Sequence, residues 1–331
     1  VYTCIIVISY LGAKLVVGSE LDTAALTAMF TYTSQILMGL MMMSMVFVMF
    51  TMSREPMRRA YELLTEEPAL KNPENPVAEV ADGSIDFENV SFRYSKEASR
   101  NALEGIDLHI PSGATVGILG GTGSGKTSLI NLIPGFYPTT AGSVYIDGKD
   151  VSGLDRHVLR EMIGIVPQKA VLFKGSIRDN LLWGNADATD EDLWAALSVA
   201  QATEVVTGKD GGLDAAVEQV GANFSGGQRQ RLTIARALVR KPSILILDDS
   251  ASALDYATDA KLRLAIRNMD QAPTTFIVSQ RASSVRFADR ILVLDDGVLV
   301  GDGTHDELLK NCAVYQEIYY SQFPKEVSSD G

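Results

Sequence analysis

Residues 24–53 carry no charged side chain. A helix over that stretch would rise about 1.5 Å per residue, enough to cross a bilayer core of roughly 30 Å. Asp22 or Thr23 is placed to cap its start, and Arg54, Arg58 and Arg59 follow its end. By the positive-inside bias those arginines put that end in the cytoplasm. Residues 1–17 are apolar apart from Lys14 and lead into the turn Gly18-Ser19-Glu20. They read as the end of a preceding membrane helix. Two helices cannot enclose a path through a bilayer, so earlier spans are expected. The opening on Val1, with no basic leader, reads as a truncated start and not as a signal peptide. A buried soluble helix is the alternative, although uncharged runs this long are rare outside membranes.

The pattern then changes twice. Residues 66–83 hold Pro68, Pro73 and Pro76 among acidic and polar residues, and proline disfavours continuous helix, so this is a linker. From Ser84 to about residue 320 short apolar runs alternate with helical patterns, as in an α/β domain. Residues 321–331 form a C-terminal tail. No internal repeat or low-complexity tract is present.

Composition narrows the partners. The 331 residues carry a formal net charge of -12, which argues against a nucleic-acid surface, since phosphate backbones are bound by Lys and Arg. Cys4 and Cys312 have no metal-ligand spacing, imply no disulfide framework and fit a reducing cytoplasm. Met38, Met41, Met42, Met43, Met45, Met49 and Met52 crowd the uncharged stretch. Flexible, polarizable methionines suit apolar ligands of many shapes. Ordinary lipid-facing or helix-packing methionine is the other reading.

The chemistry-bearing segments lie after the linker. Gly120-Gly121-Thr122-Gly123-Ser124-Gly125-Lys126-Thr127 fits the phosphate-loop pattern. An apolar strand over residues 114–119 is expected before it and a helix over residues 127–133 after it. Glycines let backbone N–H groups turn toward phosphate oxygens. Lys126 is expected to reach the β- and γ-phosphates of ATP and Thr127 to ligate Mg²⁺, with Ser128 next in the binding set. Ile244-Leu245-Ile246-Leu247-Asp248 is an apolar strand ending in a carboxylate. Asp248 would hold the magnesium, directly or through water, or else cap a helix. Ser225-Gly226-Gly227-Gln228 opens a helical run, an anion-binding arrangement in its own right.

In this order, the phosphate loop, the Ser-Gly-Gly-Gln segment and the Leu-Asp-Asp strand end resemble the ATP-binding cassette (ABC) transporters, with Phe224 replacing the usual first Leu of the signature. The apolar helices agree with the exporter branch. The resemblance implies an α/β P-loop nucleotide-binding domain with a helical subdomain, preceded by all-α transmembrane helices that are a fragment of an exporter membrane domain. It implies that Tyr94 stacks on adenine, and that Gln168 senses magnesium and contacts the membrane domain. It also implies that Asp255, in Ser252-Ala253-Leu254-Asp255, belongs to a loop crossing to the opposite subunit. An edge-strand tyrosine, a plain loop glutamine and a helix-capping aspartate are the respective alternatives. In this family two cassettes pair head to tail, each ATP lying between one phosphate loop and the other signature.

Two positions depart from the hydrolytic pattern. Asp249 stands where hydrolytic members have a Glu that positions or deprotonates the attacking water. Gln280 stands where they have a His near the γ-phosphate; glutamine donates a hydrogen bond but cannot titrate. The chain thus resembles the degenerate half of a heterodimeric bacterial multidrug exporter, holding ATP at its own impaired site. A second half-transporter chain is then its partner. Membrane lipid and a hydrophobic or amphipathic small molecule are its other expected contacts, and the cytoplasmic membrane is its place. Gln219 stands where many exporters carry Glu, with Glu218 beside it. An active homodimer, a lipid or peptide exporter, and a regulatory ATP switch are the alternatives.

Overall fold

The computed structural model describes residues 2–67 and 70–323. Val1, Pro68 and the tail beyond Phe323 lie outside the described residues, and nothing is described of the side chain of Ser252. The chain divides after residue 69 into two compact units.

The first unit is a pair of helices, Tyr2–Val17 and Thr23–Thr65. They pack where Gly12 removes a side chain: a Cβ there would stand 2.2 Å from Leu26 Cδ1. Asp22 occupies the N-cap of the long helix in extended backbone, but its side chain makes no cap bond. It accepts instead from the Thr23 hydroxyl at 3.3 Å. The helix runs well past Ser53. Arg58 pairs with Glu55 at 2.5 Å and with Glu62 at 3.7 Å, one turn to either side, which supports helix where the chain becomes polar. Pro56 lies inside and removes one ladder bond without ending the helix. No residue between Thr23 and Thr65 is buried. Thr23–Thr65 is the one described helix long and apolar enough to cross a membrane.

The second unit is built on a six-stranded sheet. Its order is Val298–Gly303, Arg290–Asp295, Thr115–Leu119, Thr274–Ser279, Ile244–Asp248 and Ile163–Val166, with only the first strand antiparallel. The central strands read as near-continuous apolar runs because both faces are covered. A second, antiparallel sheet of Leu103–Ile110, Ile85–Phe92, Ala141–Ile146 and Lys149–Asp150 packs over the helix Lys126–Leu132. Phe87, Ile106, Val116, Leu129, Ile246 and Phe276 form the core between them. Helices Ile177–Leu182, Asp190–Val199, Thr203–Thr207 and Gly226–Val239 cluster beyond the other edge, joined by Leu181, Leu193, Leu197 and Leu232.

Register is what positions the site. Ser279 lies beside Leu119, and Val278 beside Asp248. Three parallel strands therefore end together, and ligands of open α/β sheets bind beyond such carboxyl ends.

Candidate nucleotide site

The loop after Leu119 is shaped by its glycines. Gly125 has φ +99°, and a Cβ there would stand 2.8 Å from the Ala102 carbonyl. A side chain is excluded at that turn on both counts. Gly121 and Gly123, by contrast, face open space: a Cβ would meet nothing within 4 Å. The backbone on that side is left bare. Lys126 begins the following helix and is buried. Its ammonium donates to the carbonyls of Gly120 at 2.9 Å and Gly121 at 2.5 Å. Burial pulls its pKa down, while the negative charges of Asp248 and Asp249 oppose that.

A cavity of about 220 Å³ brings together Thr122, Gly123, Lys126, Thr127, Gln168, Asp248, Asp249 and Gln280. Val278 and Ser279 complete its lining. Asp249 is in left-handed backbone, φ +44°, and its N–H donates to the Val278 carbonyl at 2.9 Å. Gln168 Nε2 donates to Asp249 Oδ2 at 3.3 Å. The glutamine expected at the metal thus touches the carboxylate expected at the water. Burial pushes the Asp248 carboxyl above the ordinary carboxylate range, the charge of Asp249 adds to this, and Lys126 works against it.

These residues fit Mg²⁺ with ATP. Two carboxylates against one lysine leave a negative balance, with one carboxyl already biased toward holding a proton; a dication favours its ionised form. Among the described residues no group of three or more His, Cys, Asp or Glu could hold a metal alone. A magnesium ion here would therefore draw on Asp248, the Thr127 hydroxyl, water and the phosphates, the usual division of ligands in nucleotide sites. Bound there, it would neutralise phosphate charge; Lys126 would pair with the phosphates and Gly121 and Gly123 would admit them to the backbone.

The remaining expected residues lie outside that lining. Tyr94 is exposed, packs edge-on against Phe92 and Tyr137, and its hydroxyl is 2.9 Å from Ser128 Oγ. That bond ties the aromatic to the phosphate-loop helix, which sequence spacing does not reveal. Ser225 and Gln228 form a reciprocal capping box on Gly226–Val239: Gln228 N–H donates to Ser225 Oγ at 3.3 Å and Ser225 N–H to Gln228 Oε1 at 2.9 Å. A Cβ on Gly227 would stand 3.1 Å from the Ala253 carbonyl, whereas Gly226 is open. Asp255 caps Tyr256–Arg267, accepting from Thr258 N–H at 2.9 Å. Glu218 N–H donates to Asn223 Oδ1 at 3.0 Å, within the segment that leads into Phe224.

Residues 103–252 match the ABC transporter family model; Tyr94 and Asp255 fall outside the match. The chain is 39% identical over 325 residues to the ABC transporter ATP-binding protein YfiB of Bacillus subtilis strain 168, covering 98% of this chain and 56% of that protein. It is 38% identical over 311 residues to YheI of the same organism, named a probable multidrug resistance ABC transporter ATP-binding/permease protein, covering 94% and 53%. A solved bacterial Atm1-family ABC exporter with ATP bound matches with a TM-score of 0.77 and 32% identity, over 90% of this chain and 52% of that one. The chain spans about half the length of the curated relatives it matches. It carries an ABC transporter ATP-binding domain.

Proposed function

We propose that this chain is the ATP-binding part of an exporter half whose own site binds Mg-ATP and turns it over slowly. The observation that carries the reading is the shared lining of one cavity by the phosphate loop, Asp248, Asp249 and Gln280. The binding parts are complete, while the hydrolytic positions hold a carboxylate one methylene short and an amide that cannot titrate. The open Gly226 and the capped Ser225 leave the signature free to complete a site on a second half-transporter chain. ATP binding would then favour closure of the pair, and hydrolysis at the partner's site its reopening, a population shift between inward- and outward-open membrane domains. In this reading Thr23–Thr65 lies in the cytoplasmic membrane and the nucleotide domain in the cytoplasm. The transported compound is hydrophobic or amphipathic.

The test is equilibrium Mg-ATP binding and steady-state turnover by the chain, alone and with a candidate second half. Binding without appreciable turnover alone, and turnover on adding the second half, supports the reading. Comparable turnover by the chain alone overturns it in favour of an active homodimer.

The methionine-rich helix yields a separate expectation. If Met42 and Met45 line the path, replacing both by Leu shifts the order of transported compounds by about tenfold, the scale on which one methylene matters in an apolar pocket. An unchanged transport profile in proteoliposomes would assign these side chains to lipid or helix packing.

A further inference from the structure

Gln322 ends the helix Ala313–Gln322. Its carboxamide oxygen accepts from the Ala282 N–H at 2.9 Å, and its carboxamide nitrogen donates to the Gln280 carbonyl at 2.9 Å. The orientation of the amide is fixed by its partners, since a backbone N–H only donates and a carbonyl only accepts. Ala282 opens the short helix Ala282–Val285, whose N-cap Arg281 gives no side-chain cap. The first N–H groups of a helix lack partners within it, and Gln322 supplies one from 40 residues away. One side chain thus brackets the turn that leads out of the strand Thr274–Ser279.

The base of this clamp is packed and hydrogen-bonded. Tyr315 is fully buried, with its hydroxyl 2.7 Å from His305 Nδ1. Gln316 Nε2 donates to the Leu309 carbonyl at 2.9 Å. At its other end the clamp holds the backbone of a residue that lines the nucleotide cavity with Lys126, Thr127 and Asp249. Where the Gln280 amide can reach is set by where that backbone sits.

We propose that Gln322 is a positioning residue for the nucleotide site. Through it the C-terminal helix holds Gln280 at the wall that meets the terminal phosphate. This rests on the nucleotide-site reading above. Gln322 is exposed, so replacing it opens no void in the core. Gln322→Ala removes both bonds; Gln322→Glu keeps the acceptor for Ala282 and sets a carboxylate against the Gln280 carbonyl.

The experiment measures binding of Mg-ATPγS and Mg-ADP to the full chain, with the melting temperature of each variant. Both variants are expected to lower the preference for ATPγS over ADP by about 3- to 10-fold, the worth of one hydrogen bond, with ADP affinity unchanged. In a Gln280→Ala chain, Gln322→Ala is expected to change nothing further, because the effect passes through that residue. An unchanged preference in a folded Gln322→Ala chain overturns the proposal. So does an equal loss of both affinities, or a full effect in the Gln280→Ala chain. If the unmodified chain binds neither nucleotide, the nucleotide-site reading falls and the clamp with it. If it binds both and every variant keeps the preference, the clamp alone falls.

Discussion

Replacing Asp249 by Glu together with Gln280 by His is expected to raise ATP turnover by about 100-fold, most of it from the first change. The backbone of Asp249 is tied to the neighbouring strand by its N–H on the Val278 carbonyl at 2.9 Å, so it cannot slide forward to make up a missing methylene. Its carboxylate therefore stops about 1.5 Å short of where a glutamate would end, the length of one C–C bond. A misplacement of about 1 Å costs on the order of 100-fold in rate. Gln280→His adds a side chain that titrates near neutral pH at the same wall. The gain has a structural cost. Position 249 has φ +44°, a region that Asp tolerates better than Glu, with a penalty of roughly 1 kcal/mol. The double variant should melt about 2–4 °C lower, by the usual scaling for a domain of this size. Turnover rates and thermal scans of the two chains check both statements. Unchanged turnover with intact Mg-ATP binding would place the rate limit elsewhere.

The cavity was largely legible in the sequence because its parts are short-range features. A glycine loop between an apolar strand and a helix, and a carboxylate at a strand end, are local patterns. Parallel pairing then brings the ends of Thr115–Leu119, Ile244–Asp248 and Thr274–Ser279 together without further instruction. The contacts that were not legible join residues far apart in sequence. The Tyr94–Ser128 bond spans 34 residues and the Gln322–Gln280 bond 42, and neither leaves a periodic trace. Ser279 lines the cavity with no motif to announce it. The end of the long helix was missed for a different reason. The uncharged run marks where the apolar pattern stops at Ser53, whereas the helix is carried on to Thr65 by the ion pairs of Arg58.

Asp248→Asn is expected to abolish Mg²⁺-dependent ATP binding while making the nucleotide-free chain more stable at neutral pH. Both effects have one cause. Burial and the charge of Asp249 raise the Asp248 carboxyl above the usual carboxylate range, against the pull of Lys126. The folded state thus holds the proton more tightly than the unfolded one. The stability this contributes is full below the unfolded value and is lost as pH rises through the raised folded value. At neutral pH the ionised carboxylate is therefore a burden on the nucleotide-free fold, and the neutral amide removes it. Magnesium reverses the sign, because a dication beside Asp248 favours the ionised form. The melting-temperature gain from Mg-ATP should then grow with pH across that window in the unmodified chain. At about 100 times the dissociation constant, ligand contributes about 2.7 kcal/mol, roughly 5–10 °C at 2–4 °C per kcal/mol for a domain of this size. In the Asp248→Asn chain the Mg²⁺-dependent part of that gain should vanish at every pH, over a higher starting temperature. Thermal scans from pH 4 to 8, with Mg-ATP and with ATP plus chelator, separate the two terms. A lower melting temperature for the nucleotide-free variant would mean that the attraction between Asp248 and Lys126 outweighs the cost of burying the carboxylate.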